Sequence, residues 1–289
     1  MLTAYLGNIG YGKPIEAFNP NKNSRNRYKW GIDYSNPCAH IKKAIEFQTA
    51  NNVMGMKFMP NQFFIFLDNA RKLLQPVDQV YEDAELVDIF FPSTKFIHLE
   101  RRNKLKQAIS FSKALQDGIW REYEGEDQKY KQYVTPALYD REHIEACFDL
   151  SIANDQYWRY FLRRNHLSFL HVYYEDMTDH YKEEMSKIHQ YLGIKEMEIT
   201  IPPLRKQATA LSEKWEKQFI AETSWFSNPQ IISKFEQEDR EDLFMERCRV
   251  VFNQREQQRW KNMPANRFKK FRSIKMRFSR RFRSLLGKK

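Results

Sequence analysis

The segment KFIHLERRNKLKQAISFSKA, Lys95–Ala114, constrains the fold more than any other. Its apolar run Phe96-Ile97-His98-Leu99 has the length of a buried strand, ends in two adjacent arginines, and passes into an amphipathic helical pattern over Lys104–Gln116. LSFLHVYYEDM, Leu167–Met177, repeats the arrangement as a strand with a charged exit, followed by HYKEEMSKIHQYLGI, a helix that stops at Gly193, a natural C-cap. A long helical pattern, Tyr139–Arg164, lies between the two strands. Short buried strands separated by helices pair in parallel through crossovers, so the expected class is α/β with a parallel sheet.

The remaining chain is consistent with that class. Met1–Gly12 reads as a short helix ending in glycine-rich turns, and Cys38–Asn52 as a helix. VMGMKFM, Val53–Met59, suits a buried strand, whereas NQFFIFLDNARKLL fits helix or strand equally. GEDQKYKQYVTP, Gly125–Pro136, is a polar loop, and no internal repeat is visible. With 289 residues, 42% of them apolar, the chain can bury one sizeable core plus an appendage. Cys38, Cys147 and Cys248 are far apart, odd in number and without CxxC or Cys/His spacing, so they suggest neither a cysteine zinc site nor a disulfide framework, and a reducing compartment is the simplest reading. No apolar run approaches the roughly 20 residues of a membrane span, and no signal-peptide pattern opens the chain. A cytoplasmic location is expected.

The net charge of +11 is localised. Eleven Lys/Arg and no Asp/Glu fall in Ala265–Lys289, leaving 37 of each sign in residues 1–264. A formally neutral body argues against a specific nucleic-acid partner. In the tail, Phe268, Phe271, Ile274, Phe278, Phe282, Leu285 and Leu286 share one helical arc among Arg, Lys and Ser. That pattern suits a helix lying on an anionic membrane surface at the inner face. A helix packed on the body, a nucleic-acid-binding tail and a disordered end are the competing readings. The expected organisation is a domain over 1–223, a charged helical extension over 224–264 without an assigned role, and the basic tail over 265–289.

Two segments invite a phosphate-binding reading. GNIGYGKP, Gly7–Pro14, fits G-x-x-x-x-G-K, but Pro14 stands where the metal-binding hydroxyl belongs and no strand precedes it, so a helix cap and turn is the better reading. Arg102 lies at a strand exit with Ser110 two helical turns later. Guanidinium and hydroxyl together suit a phosphate at the start of a helix, although an arginine in that place also forms ordinary surface ion pairs.

RRNKLKQAISFSKA resembles the 3′-phosphate-binding segment of sulfotransferases that use 3′-phosphoadenosine 5′-phosphosulfate (PAPS). FLHVYYEDMTDHYKEEMSKIHQYLGI resembles their strand, YED-M turn and L-G-terminated helix. LRKQATALSEKWEKQF, Leu204–Phe219, is similar to their late basic segment, with its tryptophan displaced. GYGKPIEAF, NNVMGMKFM and QAISFSKALQDGIW are similar to motifs of the bacterial trehalose 2-sulfotransferase family. The resemblance covers roughly residues 1–220 and implies a P-loop NTPase-like sulfotransferase fold.

It further implies transfer of a sulfuryl group from PAPS to a hydroxyl of a sugar or glycolipid, without a metal. Glu16 would be the base or an acceptor-binding group; its alternative is a solvated loop carboxylate. Arg102 and Ser110 would hold the 3′-phosphate, with Arg205 and Lys206 reaching the nucleotide. Trp120 would line the acceptor cleft, or alternatively sit in the core. Tyr174, Glu175 and Asp176 read as structural, the acids capping amides. Members of the resembled family can be homodimers. The family's first strand and 5′-phosphosulfate loop belong just before LTAYL, with only Thr3 as a candidate remnant. Loss of that loop would cripple transfer and open the sheet. Either the chain is a fragment, the preferred expectation, or it is a relative that binds nucleotide or sugar without transfer. A basic peripheral membrane-binding protein is the third reading.

Overall fold

A computed structural model describes residues 1–19, 36–74, 80–120, 136–195, 197–200 and 210–223. In chain order these form α1 (Leu2–Asn8), α2 (Pro37–Gln48), β1 (Thr49–Ala50), β2 (Val53–Met54), α3 (Pro60–Leu74), α4 (Asp83–Phe90), β3 (Phe96–Glu100), α5 (Lys104–Asp117), α6 (Arg141–Arg164), β4 (Phe169–Tyr173), α7 (Tyr174–Asp179), α8 (Tyr181–Leu192) and α9 (Ala210–Glu222).

Local chemistry sets most of these ends. Asn36 accepts from the Ala39 amide and Pro37 opens α2. Glu82 and Glu85 form a reciprocal capping box on α4. Asn103 caps α5, Asp140 caps α6, and Gly118 and Gly193 end their helices in the left-handed region. The ambiguous segment is the helix α3, because Phe63, Phe66, Leu67 and Ala70 recur at helical spacing and are buried together. Val53–Met59 is a strand only over Val53–Met54. That pair closes a hairpin on β1 through Asn51 and Asn52, both at positive φ. Among the described residues, the run beyond Gly55 keeps one bridge, Ile15 to Met56, and its remaining backbone joins no ladder.

β3 and β4 pair in parallel from Phe96–Phe169 to Glu100–Tyr173, connected through α5 and α6. The expected parallel α/β arrangement is present as a two-stranded sheet among the described residues. Three apolar clusters surround it. One joins α5, α6 and α9 through Leu105, Ile109, Ile144, Phe148, Trp215 and Phe219. A second joins α2, α3 and α4 to the end of α6, with Phe66 at its centre. The third packs Tyr5 of α1 against Met177, Met185 and Ile188. Among the described residues no helix is long and apolar enough to cross a membrane. The tail over 265–289, the extension over 224–264 and the loop residues 125–135 lie outside them.

Candidate active site

A cavity of about 1750 Å³ opens between α1, the segment 52–59, β3 and the starts of α5 and α7. One wall is polar and comes from the strand-to-helix junction: Arg101, Asn103, Lys106, Gln107 and Ser110. Phe58, Phe63, Phe90, Phe91 and Trp158 make much of the apolar lining.

The junction is tied down by the acidic turn after β4. Glu175 accepts from the Arg102 and Asn103 amides at 3.0 and 3.2 Å, which fixes the entry to α5. Burial pushes its carboxyl upward, but these amides and the Arg101 guanidinium outweigh that and hold it below the usual range. Asp176 takes the Arg102 guanidinium in a two-pronged contact, 2.5 and 2.8 Å, while Arg102 lies 3.8 Å over the Tyr173 ring. The hydrogen bonds to Arg102 hold the Asp176 carboxyl low, and Arg102 is correspondingly raised.

Strand alternation continues into the junction, so neighbouring residues diverge. Arg101 and Ser110 are on the cavity wall; Arg102 is engaged by Asp176 and is not among the lining residues. Arg101 stacks on Tyr174 at 4.8 Å, and its Nε is buried without a hydrogen-bond partner. Gln107 Oε1 is a second buried polar atom without one. Sequence reasoning named Arg102 and passed over Arg101, Lys106 and Gln107. Arg101 shares a side of the strand with Leu99, which also lines the cavity, but only the packing of the strand shows that this side faces the cavity.

Glu16 stands beside this cavity rather than on its wall. Its carboxylate takes Lys57 at 2.7 Å, Asn19 at 2.6 Å and Gln62 at 3.3 Å, and Lys57 itself lines the cavity. The side chain is 13% exposed, so the solvated-loop alternative does not describe it. The loop carrying Glu16 is set by close backbone packing. Gly12 has φ +75°, and a Cβ there would stand 2.6 Å from the Gly55 nitrogen. Gly7–Pro14 is accordingly a helix exit and turn, with the Lys13 amide bonded to Gln48 O.

Trp120 is on the cavity wall, 53% exposed and 6.0 Å from Phe111, so it is no core residue. The displaced tryptophan, Trp215, is buried against Tyr139 in the α5–α6–α9 core. Beside it on α9, Ser212, Glu213 and Glu216 reach the cavity. Arg205 and Lys206 lie outside the described residues.

No curated protein matches this sequence. The family model described as Stf0 sulphotransferase matches residues 19–222, well over half of the chain and both sides of the strand-to-helix junction. The protein belongs to the Stf0 sulphotransferase family.

Proposed function

We propose that the protein moves a sulfuryl group from PAPS to a hydroxyl of a sugar or glycolipid. The observation that carries this reading is the polar wall formed by Arg101, Lys106, Gln107 and Ser110 in a chain of this family. Two of these residues are cationic; Gln107 Oε1 has no hydrogen-bond partner, and Arg101 Nε, 3.8 Å from Glu175 Oε1, makes no hydrogen bond either, so the two are an acceptor and a donor that a nucleotide could satisfy. The cavity volume exceeds that of an ordinary single-ligand pocket, which leaves room for donor and acceptor side by side.

PAPS is the donor substrate and supplies the activated sulfuryl group. Arg102 and Ser110 bind its 3′-phosphate, which requires the guanidinium to exchange Asp176 for phosphate. Arg205 and Lys206 contact the nucleotide. Glu16 takes the acceptor proton as the acceptor oxygen bonds to sulfur and the bond from sulfur to the 5′-phosphate breaks. For that, one of its contacts to Lys57, Asn19 or Gln62 yields to the hydroxyl. Trp120 offers an exposed indole face to the acceptor.

Arg102's engagement with Asp176 favours a second reading, a relative that binds nucleotide or sugar without transfer. The test is a melting curve with 3′-phosphoadenosine 5′-phosphate, followed by an assay for radiolabelled sulfate transfer to sugar acceptors. A saturable rise with transfer supports the first reading, a rise without transfer the second, and no rise removes both. We also propose that residues 265–289 hold the protein to anionic membrane surfaces, and that the protein is a homodimer. Deletion of 265–289 should abolish sedimentation with anionic vesicles, and sedimentation equilibrium should return twice the 35.0 kDa chain mass.

A further inference from the structure

The β3–β4 ladder carries a second group of side chains that the transfer reaction does not use. His98 and His171 are register partners on the two strands, with rings stacked at 5.1 Å and 9°. Glu100, two residues beyond His98, points to the same side. One ligand atom from each of the three lies within 4.8 Å of the others. His98 is 6% exposed, yet neither of its ring nitrogens has a hydrogen-bond partner. A buried imidazole left in that condition is costly unless something else engages it.

We propose that His98, Glu100 and His171 bind a divalent first-row transition ion, with Zn²⁺ the best match to two imidazoles and one carboxylate. Glu100 Oε1 already takes Lys104 and Arg159, and Oε2 faces His171 Nε2 at 2.9 Å. Oε2 is therefore the oxygen offered to the ion. Lys104 keeps Asp155 and the Arg101 carbonyl as partners, so the ion displaces only the hydrogen bond from His171. Asp155 Oδ1, 3.8 Å from His98 Nε2, is placed to orient that ring. His98 also lines the cavity, which gives the ion a route in. The site joins the two strands by side chains and works as a clip on the sheet, apart from the sulfuryl chemistry.

The test is a Zn²⁺ titration of the full chain in competition with a chromophoric chelator, paired with melting curves. Saturation at one ion per chain in the micromolar range, with a melting temperature that rises with Zn²⁺, is the expected result. His98→Ala and His171→Ala should each weaken binding more than about tenfold, the size lost even when an outer-shell partner is removed. His166→Ala, an exposed histidine away from the ladder, should bind as wild type does. No saturable binding by the wild-type chain overturns the proposal, as does binding that survives loss of both His98 and His171. The wild-type titration and the one-third-exposed His171 position keep the test decisive if His98→Ala does not fold.

Discussion

Replacing Asp176 with Asn should tighten the binding of a 3′-phosphorylated nucleotide. Asp176 and the 3′-phosphate compete for one guanidinium. Arg102 is 48% exposed and Asp176 35% exposed, so their two-pronged contact is a screened surface pair despite its geometry. Pairs of this exposure favour the closed state with an equilibrium constant of about 1 to 5. Phosphate needs the open guanidinium, so the pair multiplies the apparent Kd by one plus that constant, about two- to sixfold. Asp176→Asn removes the charge, keeps the shape, and should recover that factor. Arg102→Ala should lose the 3′-phosphate contact altogether. Calorimetric titration with 3′-phosphoadenosine 5′-phosphate reads both effects, and adenosine 5′-phosphate, which lacks the 3′-phosphate, serves as the control ligand. The gap between wild type and Asp176→Asn should narrow as salt rises, because screening weakens the exposed pair first. Weaker binding by Asp176→Asn would refute the reasoning and make Asp176 a group that positions Arg102. Unchanged binding by Arg102→Ala would move the phosphate to Arg101.

Gly12→Ala should destabilise the protein by about 1–3 kcal/mol from the left-handed backbone alone, and should lower transfer by displacing the loop that carries Glu16; urea melts and an activity assay read the two effects. Phe66→Ala, which removes a fully buried ring packed 4.8 Å from Phe91 and 5.6 Å from Phe18, should cost about 3–5 kcal/mol by chemical denaturation. Burial lowers both His40 and His189, although a hydrogen bond to the Ala17 carbonyl partly counters it at His40. The unfolded chain then binds protons first as pH falls below about 6.5, so stability should drop between pH 7 and 5. His189→Gln should flatten that slope in urea melts taken at stepped pH; an unchanged slope would mean that His189 does not contribute. Glu175, held low by the junction amides, adds a second loss once pH falls below about 4.3, the unfolded carboxyl value.

The parallel pairing of β3 and β4 was legible because each strand is a short apolar run with a charged exit, a pattern that survives without knowledge of neighbours. Gly193 marked a helix end through chemistry local to a few residues, whereas the long helix, expected from Tyr139, starts at Arg141 because the Asp140 side chain caps it. The segment after Asn52 was not legible in the same way. Val53–Met59 has a strand's composition, but a strand exists only where another segment offers a register. Residues near Ile15 offer one bridge. NQFFIFLDNARKLL was ambiguous because its apolar residues satisfy both periods; burial of Phe63, Phe66 and Ala70 against α2 and α4 decides for the helix.

The site divides along the same line between local and distant information. Arg102 and Ser110 are separated by a spacing that the sequence displays, yet the partner that holds Arg102 lies 74 residues away, in the turn after β4. Glu175 and Asp176 were recognisable as capping acids from their place between strand and helix. Of the two, only Glu175 does so, and the amides it takes, those of Arg102 and Asn103, stand at the entry to a different helix, α5, because parallel pairing sets the two strand exits side by side; Asp176 takes the Arg102 guanidinium instead. That adjacency couples the two halves of the junction: Glu175 holds the backbone that aims Ser110, while Asp176 restrains the neighbouring guanidinium. If the 3′-phosphate binds here as proposed, its affinity is set through Asp176 and the helix geometry through Glu175. Substitutions at the two acids should therefore separate, with Asp176 acting on ligand affinity and Glu175 on stability.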